Sequence, residues 1–178
     1  DKVKEEIHNE CDNICAGIKD LWFVPSPFMN IMIDGGIYDG GKYNNFGIGK
    51  GKLIGGNITL LRNLVGTELD NNYDEPTILF IEDIDEKMHK IDSKLWHLKQ
   101  TGHLDKCKGI IVGYFTDIAD EDLWEQSVYD LIHSYTKDLN IPVMFNFPCG
   151  HEHPNASIYL GREVEMSVSE KGGVLRFL

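Results

Sequence analysis

Thr77-Ile78-Leu79-Phe80-Ile81 is an unbroken apolar run, and Gly109-Ile110-Ile111-Val112-Gly113-Tyr114-Phe115 is a second. Runs of this kind, with no polar alternation, are what strands buried on both faces require. Between them Met88, Ile91, Leu95 and Leu98 recur at helical spacing and stop near Gly102. After the second run Trp124, Val128, Leu131 and Tyr135 mark another helix, and Pro142-Val143-Met144-Phe145-Asn146-Phe147 a third strand. Strand, helix, strand, helix, strand predicts an α/β fold: a parallel βαβαβ core with right-handed crossovers.

Working outward, residues 157–178 read as two or three short strands around a Gly172-Gly173 turn. They predict a small β-hairpin or β-barrel-like layer added to the core, a fold of the swivelling-domain type. Upstream, Leu53-Ile54-Gly55-Gly56-Asn57 reads as a tight turn feeding a short helix marked by Ile58, Leu60, Leu61, Leu64 and Val65. Asn57 suits its N-cap and Gly66 its stop. Gly47-Ile48-Gly49-Lys50-Gly51-Lys52 meets neither the phosphate-loop nor the dinucleotide pattern and reads as a lysine-bearing hairpin. Further up, two glycine pairs, Gly35-Gly36 and Gly40-Gly41, suggest short broken strands. Val3, Ile7, Cys11, Ile14 and Ile18 form a narrow apolar stripe. That stripe predicts a helix over 1–20, with a proline-bearing linker over 21–29 and one domain over 30–178.

The chain has 178 residues, with 17 Lys and Arg against 29 Asp and Glu, a formal net charge of −12. That balance excludes a phosphate-tracking nucleic-acid binder and a protein of anionic membrane surfaces. No run approaches the roughly 20 apolar residues of a membrane span, and no signal peptide is visible at the start. Four cysteines without a framework pattern read as reduced thiols, so a cytoplasmic protein is expected. A first residue of Asp1 suggests a piece of something longer.

Ligands of parallel sheets bind outside the carboxyl ends of the strands. Three such ends are visible: Glu82-Asp83, Thr116-Asp117, and Cys149-Gly150-His151-Glu152-His153. Glu82 and His151 therefore leave one sheet edge, as a general base and the carboxylate that orients it should. On spacing alone the plainer reading is favoured, Glu82 as the cap of the following helix and His151 as a loop histidine, because caps outnumber catalytic dyads. No Gly-x-Ser-x-Gly elbow occurs anywhere, and Cys149, so close to His151, reads as an inert thiol. A zinc site from Cys149, His151 and His153 with Glu82 or Asp83 is a rival, at loose spacing. Gly55, Gly56 and Asn57, ahead of a helix, are candidates for holding a substrate carboxylate on backbone N–H groups, against the plain reading of a capped turn.

Several ordered motifs carry a resemblance. Gly51-Lys52-Leu53-Ile54-Gly55-Gly56-Asn57-Ile58-Thr59-Leu60-Leu61, followed by Leu64-Val65-Gly66-Thr67, resembles the opening of the C-terminal domain of LD-carboxypeptidases. Ile78 to Glu86 resembles that family's glutamate strand, and Ile91-Asp92 with Leu95, Leu98 and Gly102 its next helix. Gly109 to Asp117, Gly150-His151 and Tyr159-Leu160-Gly161 complete the order across roughly residues 50–165. The resemblance implies a serine peptidase whose Ser-His-Glu triad is split between domains. Glu82 would be the orienting carboxylate and His151 the base, with the serine in an N-terminal nucleophile domain as partner and residues 1–20 as the inter-domain helix.

The same resemblance implies no metal, no cofactor and a cytoplasmic peptide substrate. That substrate is murein tetrapeptide, cut at the bond to terminal D-alanine, or in the microcin C self-immunity branch a peptidyl-nucleotide. The isolated chain would be inactive. A non-catalytic binding or homodimerisation domain is the remaining alternative. The family pattern has Arg after the helix Asp, where Ser93 stands here, so any ion pair that Arg makes is expected to be lost.

Overall fold

The computed structural model describes residues 43–70, 75–153, 155–170 and 172–178. The helix expected over 1–20, the linker over 21–29 and most of the stretch 30–48 lie outside the described residues. The strands and α-helices, in chain order, are β1 (Gly47–Asn57), α1 (Ile58–Leu64), β2 (Thr77–Ile84), α2 (Met88–Gln100), α3 (His103–Lys106), β3 (Gly109–Thr116), α4 (Val128–Thr136), β4 (Val143–Met144), β5 (Glu163–Ser169) and β6 (Gly172–Phe177).

They form one six-stranded sheet in the order β4-β3-β2-β1-β5-β6. β1 to β4 are mutually parallel, while β1–β5 and β5–β6 pair antiparallel. The α/β class, the parallel core and the added hairpin are all as the sequence reading has them, with two differences. The core has a fourth parallel strand, β1, and the hairpin extends the same sheet. The sheet also curls: a Cβ on Gly173 of β6 would lie 2.7 Å from the side chain of Met144, on the opposite edge strand. Strands from the two ends of the sheet thus meet across a half-barrel.

The expected Gly47–Lys52 hairpin is instead the first half of β1. Gly47 to Lys52 pair with Val168 to Glu163 of β5, and Lys52 to Asn57 with Thr77 to Glu82 of β2. The glycines serve close approach: a Cβ on Gly49 would collide with the Lys108 carbonyl, and one on Gly51 with the Pro76 carbonyl. Gly55-Gly56-Asn57, expected as a turn, is likewise the extended end of β1, its two glycines at φ +137°. Beyond it the short helix is where expected. The Asn57 side chain accepts from Leu60 N–H at 3.2 Å as N-cap, and Gly66 follows at φ +80°.

α4 starts later than its apolar spacing suggests, at Val128. Ser127 and Asp130 form a reciprocal capping box there, which leaves Trp124 in the preceding turn. The third strand is also shorter than its sequence, because only Val143 and Met144 join the ladder.

Alternation along β2 divides the core. Leu79 and Ile81 face α1, α2 and α4 with Ile58, Met88, Ile91, Leu95, Leu131 and Ile132. Ile78 and Phe80 face the concave side with Leu53, Ile111, Phe147, Met166 and Leu175. Most of these side chains are fully buried, each worth about 1.5–3 kcal/mol relative to exposure. This alternation sends Glu82 to the concave side and Asp83 to the helix side.

Candidate functional site

Glu82 is the first polar residue after the apolar run of β2 and is only 5% exposed. Its Oε2 lies 2.7 Å from Nδ1 of His151. An ionised carboxylate only accepts, so the neutral ring carries its proton on Nδ1 and leaves Nε2 as an acceptor. The His151 side chain is 49% exposed while that of Glu82 is 7%. One end of the pair is dry and the other faces solvent. The reading of Glu82 as a helix cap has no support here: α2 is capped at Lys87, and its Met88 N–H is held by Asp120 Oδ1 at 2.9 Å.

The loop carrying His151 is tied to β3. Phe147 N–H donates to Val112 O and Tyr114 N–H to Cys149 O, both at 3.0 Å. Gly113 lets this loop approach, since a Cβ there would collide with the Cys149 carbonyl. Asn155 clamps Gly150 on both sides, accepting its N–H at 3.3 Å and donating to its carbonyl at 2.6 Å. Sequence reasoning gave Asn155 no part in the site. Beside His151 lies a cavity of about 430 Å³ lined by Phe115, Thr116, Asp117, His151 and Glu152.

Cys149 does not join the pair as a nucleophile. Burial, and then the negative charge of Glu82, push its thiol up to about 11, so the thiolate is scarce near neutrality. The zinc rival is not assembled either: among the described residues no three His, Cys, Asp or Glu side chains converge as a ligand set. Asp83, one of its proposed ligands, is turned to the opposite face of the sheet.

The glycine–asparagine motif lies beside Glu82, since Asn57 is its register partner on β1. Both ends of the Asn57 side chain are engaged within the fold, Oδ1 with Leu60 N–H and Nδ2 with Asp83 Oδ1 at 2.7 Å. Gly55 is required by the sheet, because a Cβ there would collide with the Phe80 carbonyl. Only Gly56 borders open space, with nothing within 4 Å of a Cβ placed on it.

Sequence reasoning missed the charge cluster behind Asp83. Lys94 is 7% exposed, with its Nζ 2.8 Å from Glu86 Oε1 and 3.4 Å from Asp83 Oδ2. Thr59 Oγ1 lies 2.8 Å from Asp83 Oδ2 and 3.4 Å from Glu86 Oε1. Burial pushes the Glu86 carboxyl up, but the Lys94 ammonium and the Lys87 N–H outweigh it and hold the group below its ordinary value. A buried cation is thus present in the helix, contributed by the residue after Ser93. Its signal was there to read, a lysine adjoining Leu95 on the stripe of Met88, Ile91 and Leu98.

The profile of the LD-carboxypeptidase C-terminal domain matches residues 50–166. This chain belongs to the LD-carboxypeptidase family. It is 33% identical over 132 residues to a probable murein peptide carboxypeptidase of Bacillus subtilis, covering 72% of this chain and 40% of that protein. It is 30% identical over 128 residues to the microcin C7 self-immunity protein MccF of Escherichia coli, covering 71% and 37%. Among solved structures it resembles the muramoyltetrapeptide carboxypeptidase of Oxalobacter formigenes, with a TM-score of 0.65, 27% identity, and coverage of 75% and 46%. The chain therefore spans less than half the length of these LD-carboxypeptidase relatives.

Proposed function

We propose that this chain carries the general base and the orienting carboxylate of a serine carboxypeptidase, with the nucleophilic serine on a second domain. The observation that supports this best is the Glu82–His151 pair, 2.7 Å apart, with a buried carboxylate and a half-exposed ring. In this reading the serine hydroxyl approaches Nε2 from the solvent side. His151 takes its proton as the oxygen attacks the amide carbonyl, and Glu82 stabilises the imidazolium that forms. The same ring then returns the proton to the departing amine, and water repeats the sequence on the acyl-enzyme. Gly55, Gly56 and Asn57 lie next to this centre as the substrate-facing end of β1, with Gly56 offering the open approach.

The substrate we propose is murein tetrapeptide, cut at the bond to terminal D-alanine during cytoplasmic peptidoglycan recycling. Similarity to MccF at 30% identity supports a second reading, in which the same centre cleaves a peptidyl-nucleotide. The test joins the chain to a nucleophile domain of the family and assays both substrates. D-alanine release that vanishes in His151→Ala supports the first reading, and turnover of the peptidyl-nucleotide alone supports the second. Undiminished turnover in His151→Ala overturns both, leaving a binding or dimerisation domain.

A further inference from the structure

Directly behind the Glu82–His151 pair lies the group of buried Asp83 and Lys94 with half-buried Glu86 and Thr59, which the chemistry above does not use. At Glu82 the β2–β3 ladder is irregular. Ile81 pairs with Val112 and Asp83 with Phe115, so one residue of β2 faces two of β3. Tyr114, in that bulge, gives its N–H to Cys149 O. Regular pairing to β3 therefore does not hold Glu82 in place.

On its other side Glu82 is in register with Asn57 of β1, and the next side chain along the strand adds to that hold. Asp83 accepts from Asn57 Nδ2 at 2.7 Å, Thr59 Oγ1 at 2.8 Å, its neighbour Ile84 N–H at 2.9 Å and Lys94 Nζ at 3.4 Å. Because successive side chains leave a strand on opposite faces, immobilising Asp83 fixes the peptide from which Glu82 points the other way. Lys94 is the keystone. Asp83 and Glu86 share the single hydroxyl hydrogen of Thr59, and the ammonium between them is the charge that lets two carboxylates stay close. A buried ion pair adds little net stability compared with apolar residues of similar volume, so its use lies in geometry.

We propose that Lys94, acting with Thr59 and Glu86 through Asp83, is a positioning residue that aims the Glu82 carboxylate at His151. This rests on the reading of Glu82 as the orienting group. The test is nitrogen-15 NMR of the His151 side chain in the 178-residue protein, with the ring neutral. The wild-type ring is expected as a single Nδ1–H tautomer. Lys94→Met, with native circular dichroism, is expected to lose that single form and average between tautomers, as Glu82→Ala does. Should Lys94→Met fail to fold, Thr59→Val and the charge-balanced pair Lys94→Met with Glu86→Gln carry the same expectation. Folded variants that keep the wild-type tautomer, while Glu82→Ala averages it, overturn the positioning role alone. An unchanged ring in Glu82→Ala overturns instead the orienting role of Glu82.

Discussion

At the scale of single residues, chemistry separates two side chains that are near neighbours in sequence. Cys149 and His151 border the same carboxylate, yet the hydrogen bond to it is made by the histidine. The Cys149 thiol is held at about 11 by burial and by Glu82. Its alkylation by iodoacetamide, followed by mass spectrometry, should therefore be negligible at pH 7 and rise only as the pH approaches 11. Rapid labelling at pH 7 would contradict this. If the proposed function holds, Glu82→Gln, in the chain joined to a nucleophile domain of the family, should lower kcat on the order of 10⁴-fold with little change in KM. The amide both removes the charge and favours the wrong tautomer of His151. Steady-state kinetics on murein tetrapeptide reads this directly, and a loss of less than tenfold would return Glu82 to a structural role.

Among the elements, the ends of β1 and β2 carry most of the site's support. Asn57 caps α1 and also donates to Asp83, so Asn57→Ala should cost more than an ordinary cap. A loss of about 2 kcal/mol or more in urea denaturation is expected, against about 1 for a cap alone. Ser127→Ala at the capping box of α4 supplies the comparison, since that cap touches nothing at the site. The Glu86 carboxylate, just ahead of α2 and ion-paired with its Lys94, also gives stability a pH dependence. The folded-state pKa of Glu86 is depressed from the ordinary value of 4.5. Its contribution is therefore present above about pH 4.5 and lost as the pH falls through the lower, folded value. Urea midpoints measured across that acidic window should decline in the wild type and decline less steeply in Glu86→Gln.

Considering the whole molecule, the proposed placement of the nucleophile on a second domain predicts a division of labour. The purified 178-residue chain should release no D-alanine from murein tetrapeptide, and adding a nucleophile domain of the family should restore release. Turnover by the chain alone, retained in His151→Ala preparations, would point to a contaminant. Turnover abolished in that variant would show that the chain carries a nucleophile of its own.

The sequence by itself determined the α/β class, the order of its central strands and helices, and the strand ends bearing Glu82 and His151. These follow from unbroken apolar runs, helical spacing and cap residues, all local signals. It misplaced Gly47–Asn57, because glycines that let a strand approach its neighbours look the same as glycines that turn a chain. It could not decide whether Glu82 caps a helix or orients a histidine 69 residues away, since that depends on β2, β3 and the His151 loop meeting at one edge. Lys94 was legible only in part: its place on the apolar stripe could be read, but not the partners that make its burial possible. Buried lysine is read as an error in an apolar stripe until the fold brings Asp83, Glu86 and Thr59 around its ammonium. Strand burial is written in neighbouring residues, whereas a charge becomes affordable inside a protein only through partners that the tertiary structure supplies.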